Sequence, residues 1–327
     1  MPRKEVGNIF EDKVMKPVFE GFGIVNGTLH AYSVDKLKEG KPQVYYENIH
    51  GKLYIGDSLK FLSRIKRESV DLVFADPPYN IQKADWDNFE SEKEYISWSL
   101  RWIKSASRVL KATGTLYVMG FSEVLADLRR PASKFFPGGS RWLVWHYKNK
   151  ANLGDGWGRS HESIIQFRKS EISTFNQDFI RIPYSNHTIK YPEHPQAESS
   201  QFGSGRKPEG NWKPNPIGAK PRDVLEVPVT SNGMLEKTPH PTQKPEELVR
   251  KFVLASSNEG EVILDPFSGS GTTLVCAEQL NRKWIGCDMN ETYNKYAVAR
   301  IETINQRNAT EWIWSDVKIA ARRESIR

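Results

Sequence analysis

Apolar and polar positions along this chain fall into two kinds of block. Short runs rich in β-branched and aromatic residues read as strands: Asn48 to Ile55, Val70 to Ala75, Thr115 to Met119, Arg141 to Tyr147, His161 to Phe167, Gly260 to Asp265 and Lys283 to Cys287. Other stretches carry helical spacing. They are Leu59 to Ile65, Ser91 to Leu110 (with Tyr95, Trp98, Leu100, Ile103 and Val109 apolar), a segment from about Ser122, Glu246 to Ser256, and an apolar helix through Leu280. A strand, a helix and a second strand in succession form a β-α-β unit, which requires parallel strands and a right-handed crossover. The pattern predicts an α/β fold whose strands deliver their carboxyl ends, Asp57 and Asp76 among them, to one edge of the sheet.

Chemistry collects at those ends. The strand from Val70 stops on Asp76-Pro-Pro-Tyr79. Pro77 and Pro78 fix their own φ and disfavour a helical conformation in the residue before them, so Asp76 and Tyr79 sit on a stiff, extended loop. Proline also removes N–H donors and leaves carbonyls able to accept. A carboxylate, free carbonyls and an aromatic face suit a planar ring bearing an exocyclic NH2 group; a strand followed by a tight turn is the plainer reading. In the second half, Gly260-Glu-Val-Ile-Leu-Asp265 runs into Pro-Phe-Ser-Gly-Ser-Gly-Thr-Thr273 and a helix. Glycines there let the backbone approach a ligand at the helix N-terminus. No Lys follows them and no third Gly completes a dinucleotide fingerprint, so neither a P-loop nor a pyrophosphate site is expected. The next strand ends at Asp288, where an acid can accept both ribose hydroxyls. The combination points to an adenosine-containing cofactor without a pyrophosphate.

Composition changes this picture little. With 327 residues, 38% of them hydrophobic, the chain can bury a large core, and a formal charge of +7 with a pI near 9.1 permits a polyanionic partner. No apolar run is long enough to span a bilayer and Met-Pro-Arg-Lys-Glu lacks the core of a signal peptide, so a cytoplasmic location, near the nucleoid of a bacterium or archaeon, is expected. Cys276 and Cys287 lie in apolar surroundings and read as core thiols, and no metal site is expected. Residues 168–237 differ in texture: they hold 8 of the 19 prolines, and 10 Lys or Arg against 8 Asp or Glu, without helical periodicity. Disorder is one reading of that composition, and a surface that reads base edges and phosphates is the one favoured here.

Asp76-Pro-Pro-Tyr79, His240-Pro-Thr-Gln-Lys-Pro245 and Asp265-Pro-Phe-Ser-Gly-Ser-Gly271 together resemble the circularly permuted amino-group DNA methyltransferases of the beta class, over about residues 48 to 305. The resemblance implies a Rossmann-like, seven-stranded, mostly parallel sheet with helices on both faces. It also implies S-adenosylmethionine as methyl donor and a target-recognition region between the catalytic and cofactor halves. The expected division is an extension over 1–49, the catalytic half over 50–167, the recognition insert over 168–237, the cofactor half over 238–305 and a tail over 306–327. Asp265, Phe267, Ser268, Gly269, Gly271 and Thr272 are assigned to the cofactor, Asp288 to its ribose, Asp57 to the neighbourhood of its adenine, and Thr242 and Lys244 to that of its methionine carboxylate. A solvated surface lysine is the alternative for Lys244, and helix caps for Thr272 and Thr273.

Asp76 and the Pro77 carbonyl are expected to hold the target amine, with Tyr79 stacked on the base and Pro78 keeping the loop stiff. Trp145 is either a pocket wall or core. The base is expected to be flipped out of duplex DNA. Cys276 follows Val275 and Cys287 follows Gly286, whereas carbon-5 cytosine methylation uses a nucleophilic Cys that typically follows proline. Asp heading the tetrapeptide resembles the N6-adenine members; N4-cytosine is the near alternative, and a non-catalytic nucleic-acid-binding protein the distant one. Double-stranded DNA is the expected partner, with a second copy of the chain and a cognate restriction endonuclease as further candidates.

Overall fold

The computed structural model describes residues 27–80, 89–147, 149, 155–195 and 211–304. Twelve strands form, in chain order: β1 (Thr28–Leu29), β2 (Gln43–Glu47), β3 (Gly51–Ile55), β4 (Val70–Ala75), β5 (Leu110–Gly120), β6 (Ser140–His146), β7 (His161–Arg168), β8 (His194–Pro195), β9 (Asn211–Trp212), β10 (Val224–Glu226), β11 (Val262–Asp265) and β12 (Lys283–Asp288). Helices are α1 (Val34–Lys38), α2 (Ser58–Arg64), α3 (Glu92–Val109), α4 (Ser122–Ser133), α5 (Asn186–Lys190), α6 (Glu246–Ser256), α7 (Thr272–Gln279) and α8 (Glu291–Ile304). Among them no helix is long and apolar enough to cross a membrane.

Ten strands make one sheet in the order β1-β2-β3-β12-β11-β4-β5-β7-β6-β10. Its middle seven, β3 to β6 in that order, are the expected Rossmann-like sheet, parallel from β3 through β5 and antiparallel around β7. The sheet is wider than the sequence suggested. Part of the stretch read as an extension supplies β1 and β2, which pair antiparallel on one edge, and part of the stretch read as an insert supplies β10, parallel to β6 on the other.

β4 is buried along its whole length, as its unbroken apolar run requires of a central parallel strand. The acid within it is the exception that explains itself. Asp71 accepts both oxygens' worth of contact from Lys111 Nζ (2.9 and 2.8 Å) and, through Oδ2, the Val262 N–H at 2.9 Å, tying the start of β11 to β4. Side chains then alternate between two cores: Leu72, Phe74, Tyr117 and Met119 face α6, α7 and α8, while Val73, Leu116 and Val118 face α2, α3 and α4. α2 starts at Asp57, whose carboxylate accepts the Lys60 N–H at 2.9 Å, and α3 at Ser91, whose hydroxyl accepts the Glu94 N–H at 3.2 Å.

Residues Asn176–Arg222 belong to a second compact unit. Within it Ile182 and Ala219 bridge, β8 pairs with β9, Arg181 donates to the Gly218 carbonyl at 3.0 Å, and the rings of Tyr184 and Trp212 meet edge to face.

α6, α7 and α8 are joined by a buried ion pair. Arg300 Nη2 donates to Glu246 Oε1 at 2.8 Å, and its Nη1 donates to the Ser270 carbonyl and the Thr272 hydroxyl, both at 2.9 Å. Arg300→Met would strand the Glu246 carboxylate, and is expected to cost about 3–5 kcal/mol in urea denaturation, whereas a Glu246→Leu, Arg300→Met pair costs clearly less.

Candidate active site

Four neighbouring strands place an acid on the same rim. In sheet order, β3 is followed by Asp57, β12 ends in Asp288, β11 ends in Asp265 and β4 is followed by Asp76. A cavity of about 860 Å³ opens over them, lined by these acids together with Pro77, Tyr79, Glu162, Lys244, Phe267, Ser268, Gly269 and Met289, among others. Every residue assigned from sequence lines it except Gly271, which lies in the same turn.

One half of the cavity is built by the glycine turn. Gly269 has φ +48° and Gly271 φ +78°, the left-handed region that favours glycine. A Cβ on Gly271 would lie 2.6 Å from that of Ala297, and one on Gly269 would lie 3.1 Å from His240 Nε2. The loop is fastened from below. Asp288 takes the Gly269 N–H on Oδ2 and the Asn290 N–H on Oδ1, each at 2.8 Å, and Asp265 takes the Phe267 N–H at 3.0 Å. Phe267 packs at 5.6 Å from Trp98 and 5.2 Å from Trp102, an aromatic floor from α3 that sequence periodicity had marked only as helix core. Neither Thr272 nor Thr273 caps α7, whose cap is Gly271; the Thr272 hydroxyl donates to the Lys244 carbonyl at 3.1 Å. His240 stacks edge to face on Tyr293 at 4.2 Å, accepts the Thr242 N–H on Nδ1, and burial with nearby Lys244 and Lys237 pushes its pKa down to about 3.

The other half is a ring of four side chains. Tyr79 Oη lies 2.6 Å from Asp76 Oδ1 and 3.0 Å from Glu162 Oε2, so two carboxylates compete for one proton. Lys244 Nζ lies 2.8 Å from Asp76 Oδ2 and 3.5 Å from Glu162 Oε2. Burial opposes the Lys244 charge, but Asp76 and Glu162 outweigh it and hold its pKa above the ordinary value. Burial, then Asp76 and Glu162, push the Tyr79 phenol well above its usual range, so it stays protonated. The surface alternative for Lys244 does not hold, since it is 7% exposed. The sequence does not single out Glu162, one of several polar residues in the strand His161–Arg168.

Tyr95 donates to the Pro78 carbonyl at 2.6 Å and braces the proline loop, while Phe121 meets the Tyr79 ring at 5.1 Å. Trp145 is both wall and core: it lines the cavity, is 2% exposed, and its indole N–H donates to the Val227 carbonyl at 2.7 Å. Cys276 and Cys287 are buried, free and absent from the lining, with burial raising both thiol pKa values.

A sheet of this order, with a glycine turn and an acid after neighbouring strands, defines a nucleotide-cofactor fold of the Rossmann-like class. The DNA methylase family model for N6 and N4 enzymes matches residues 70–299, and the chain belongs to that family. It is 33% identical to the type II methyltransferase M1.MboII of Moraxella bovis over 249 residues, 74% of this chain and 93% of that one. It is 35% identical to the DNA adenine methyltransferase YhdJ of Escherichia coli K12 over 266 residues, 78% and 84% of the two chains. The PvuII cytosine-N4-specific DNA methyltransferase shares its fold with a TM-score of 0.57 at 21% identity, over 85% of this chain and 92% of that one. S-adenosylmethionine is the cofactor. The site fits it: two glycines leave the backbone open, an aromatic floor lies beneath, and the Ser268 hydroxyl is buried without a partner among the described residues.

Burial, opposed by Thr273 and the Phe267 N–H and reinforced by Asp76 and Asp288, pushes the Asp265 carboxyl up to about 7. The folded protein therefore holds this proton more tightly than the unfolded chain, so the contribution to stability is full below the unfolded carboxyl pKa and is lost as pH rises toward 7. Asp265→Asn keeps an acceptor without the charge. Its melting temperature relative to wild type is expected to rise steadily from pH 4 to pH 7, measured by thermal denaturation without cofactor.

Proposed function

We propose that this chain is a sequence-specific methyltransferase acting on the N6 amine of an adenine flipped out of duplex DNA, as the modification half of a restriction-modification system in the cytoplasm. The observation that carries this reading is the rigid Asp76-Pro-Pro-Tyr79 loop opening into the same cavity as the glycine turn. Adenine is preferred because Asp heads the tetrapeptide and because a relative at 35% identity is named an adenine methyltransferase. An N4-cytosine target has the PvuII likeness of fold in its favour.

An exocyclic amine is a weak nucleophile because its lone pair is delocalised into the ring. In this reading Asp76 and the Pro77 carbonyl accept its two N–H bonds and favour a pyramidal nitrogen, while the Tyr79 ring stacks on the base. Bound S-adenosylmethionine supplies a methyl group on a cationic sulfur. The chain's part is positioning and electrostatics, without a nucleophilic thiol. Asp57, Asp265, Phe267, Ser268, Gly269, Gly271, Thr272, Asp288 and Thr242 are assigned to the cofactor side. Residues 168–237, which include most of the second compact unit with its exposed Phe179, Ile189 and Tyr191, are assigned to DNA reading. A cognate endonuclease and a second copy of the chain are the further partners this reading carries.

Two measurements test it. Labelled methyl from S-adenosylmethionine is expected on N6-methyladenine of unmethylated bacterial DNA, falling about 100-fold or more in Asp76→Ala. Label on N4-methylcytosine overturns the target, and no transfer to DNA overturns the reading. Burial raises the Asp288 carboxyl to about 6, and a ribose hydroxyl donates best to the ionised form. Cofactor affinity in calorimetry is thus expected to strengthen as pH rises from 5 to 8, and Asp288→Asn to flatten that slope.

A further inference from the structure

The resemblance places Lys244 beside the cofactor, whereas its ammonium sits on the catalytic carboxylate. Nζ is 2.8 Å from Asp76 Oδ2 and only 5.2 Å from the centre of the Tyr79 ring, the ring expected to carry the target base. The ammonium lies over the ring and the carboxylate at its hydroxyl, so a donor and an acceptor are presented side by side. The amine-bearing edge of adenine is the complement of that pair: the NH2 group donates, and the adjacent ring nitrogen, N1, accepts. Each oxygen of Asp76 has one partner before any base arrives, Tyr79 on one and Lys244 on the other, and each keeps a second lone pair that an incoming amine can use. Glu162, 3.5 Å from the ammonium, holds the cation from a second side.

We propose that Lys244 reads the target base, donating to the ring nitrogen next to the amine that Asp76 accepts, with Glu162 as the positioning residue that holds the ammonium in register. The inference rests on the methyltransferase reading above and gives Lys244 a role on the substrate side of the cavity. A flipped base is read along its Watson–Crick edge in enzymes of this kind of chemistry, and a buried charged donor left without an acceptor is disfavoured. A base lacking an acceptor beside its amine forfeits the hydrogen bond from the ammonium, which is left with its carboxylate partners alone. The same geometry fits cytosine N3 beside N4, so the pair selects an amidine edge and leaves ring size to the cavity walls.

The test uses the full-length protein and a duplex carrying its mapped methylation site, with the target adenine replaced by 1-deazaadenine. That base keeps the amine and exchanges N1 for C–H. The exchange makes the amine a better nucleophile and weakens the base pair, so a slower reaction cannot come from either intrinsic effect. In single-turnover kinetics wild type is expected to favour adenine by about ten- to a hundredfold in kcat/KM, the worth of one hydrogen bond to a charged group. Lys244→Met is expected to bring the ratio close to one. Because Lys244→Met leaves two half-buried carboxylates facing each other, Lys244→Met with Glu162→Gln is measured beside it. The ratio does not depend on how much of either preparation is folded. A wild-type ratio near one, or a ratio that survives in both variants, overturns the assignment. So does a rise in the KM for S-adenosylmethionine as the sole effect of Lys244→Met, which would put the lysine on the cofactor. Failure of wild type to methylate ordinary adenine would instead count against the functional reading itself.

Discussion

Strands that run in the same direction must end on the same rim, and the chemistry of this protein depends on that constraint. β3, β12, β11 and β4 are neighbours and parallel, so four acids that are scattered over 231 residues of sequence, from Asp57 to Asp288, come to line a single edge. Neighbouring strands are only about 4.8 Å apart, which confines the cofactor turn and the proline loop to one cavity. Two of these acids, Asp265 and Asp288, are taken out of water there, and that burial raises their pKa values, with Asp76 and Asp288 adding to the shift of Asp265. The N–H groups they accept are what allow those carboxylates to be buried at all.

A second level of organisation fastens the loops to one another. Arg300 reaches from α8 to Glu246 at the start of α6 and to the backbone of the glycine turn, and the Thr272 hydroxyl passes the connection on to the carbonyl of Lys244. The position of the Lys244 backbone is therefore set by the cofactor turn, while its ammonium is set by Asp76 and Glu162.

Much of this was legible in the sequence, for identifiable reasons. Buried parallel strands are apolar throughout, so β4, β11 and β12 stood out, and proline and glycine announced the two loops because their backbone constraints are local. Glu246 to Ser256 as a helix and the two core thiols are equally local inferences. What escaped was set by partners distant in the chain. Glu162 gains meaning only when β7 is laid beside the ends of β4 and the loop carrying Lys244. Trp98 and Trp102 have the spacing of any core-facing helix, and only the placement of Phe267 makes them a floor. β1, β2 and β10 are short strands at the two margins of the sheet whose pairing depends on the sheet already being there.

The order in which the sheet is encoded has a consequence during synthesis. β4 ends up between β5 and β11, yet β5 follows it within 35 residues whereas β11 begins only at Val262. Until β11 has been synthesised, the fully buried β4 has one unpaired edge, with Asp71 still lacking the Val262 N–H it will finally accept. Such an edge is a template for pairing with another nascent chain.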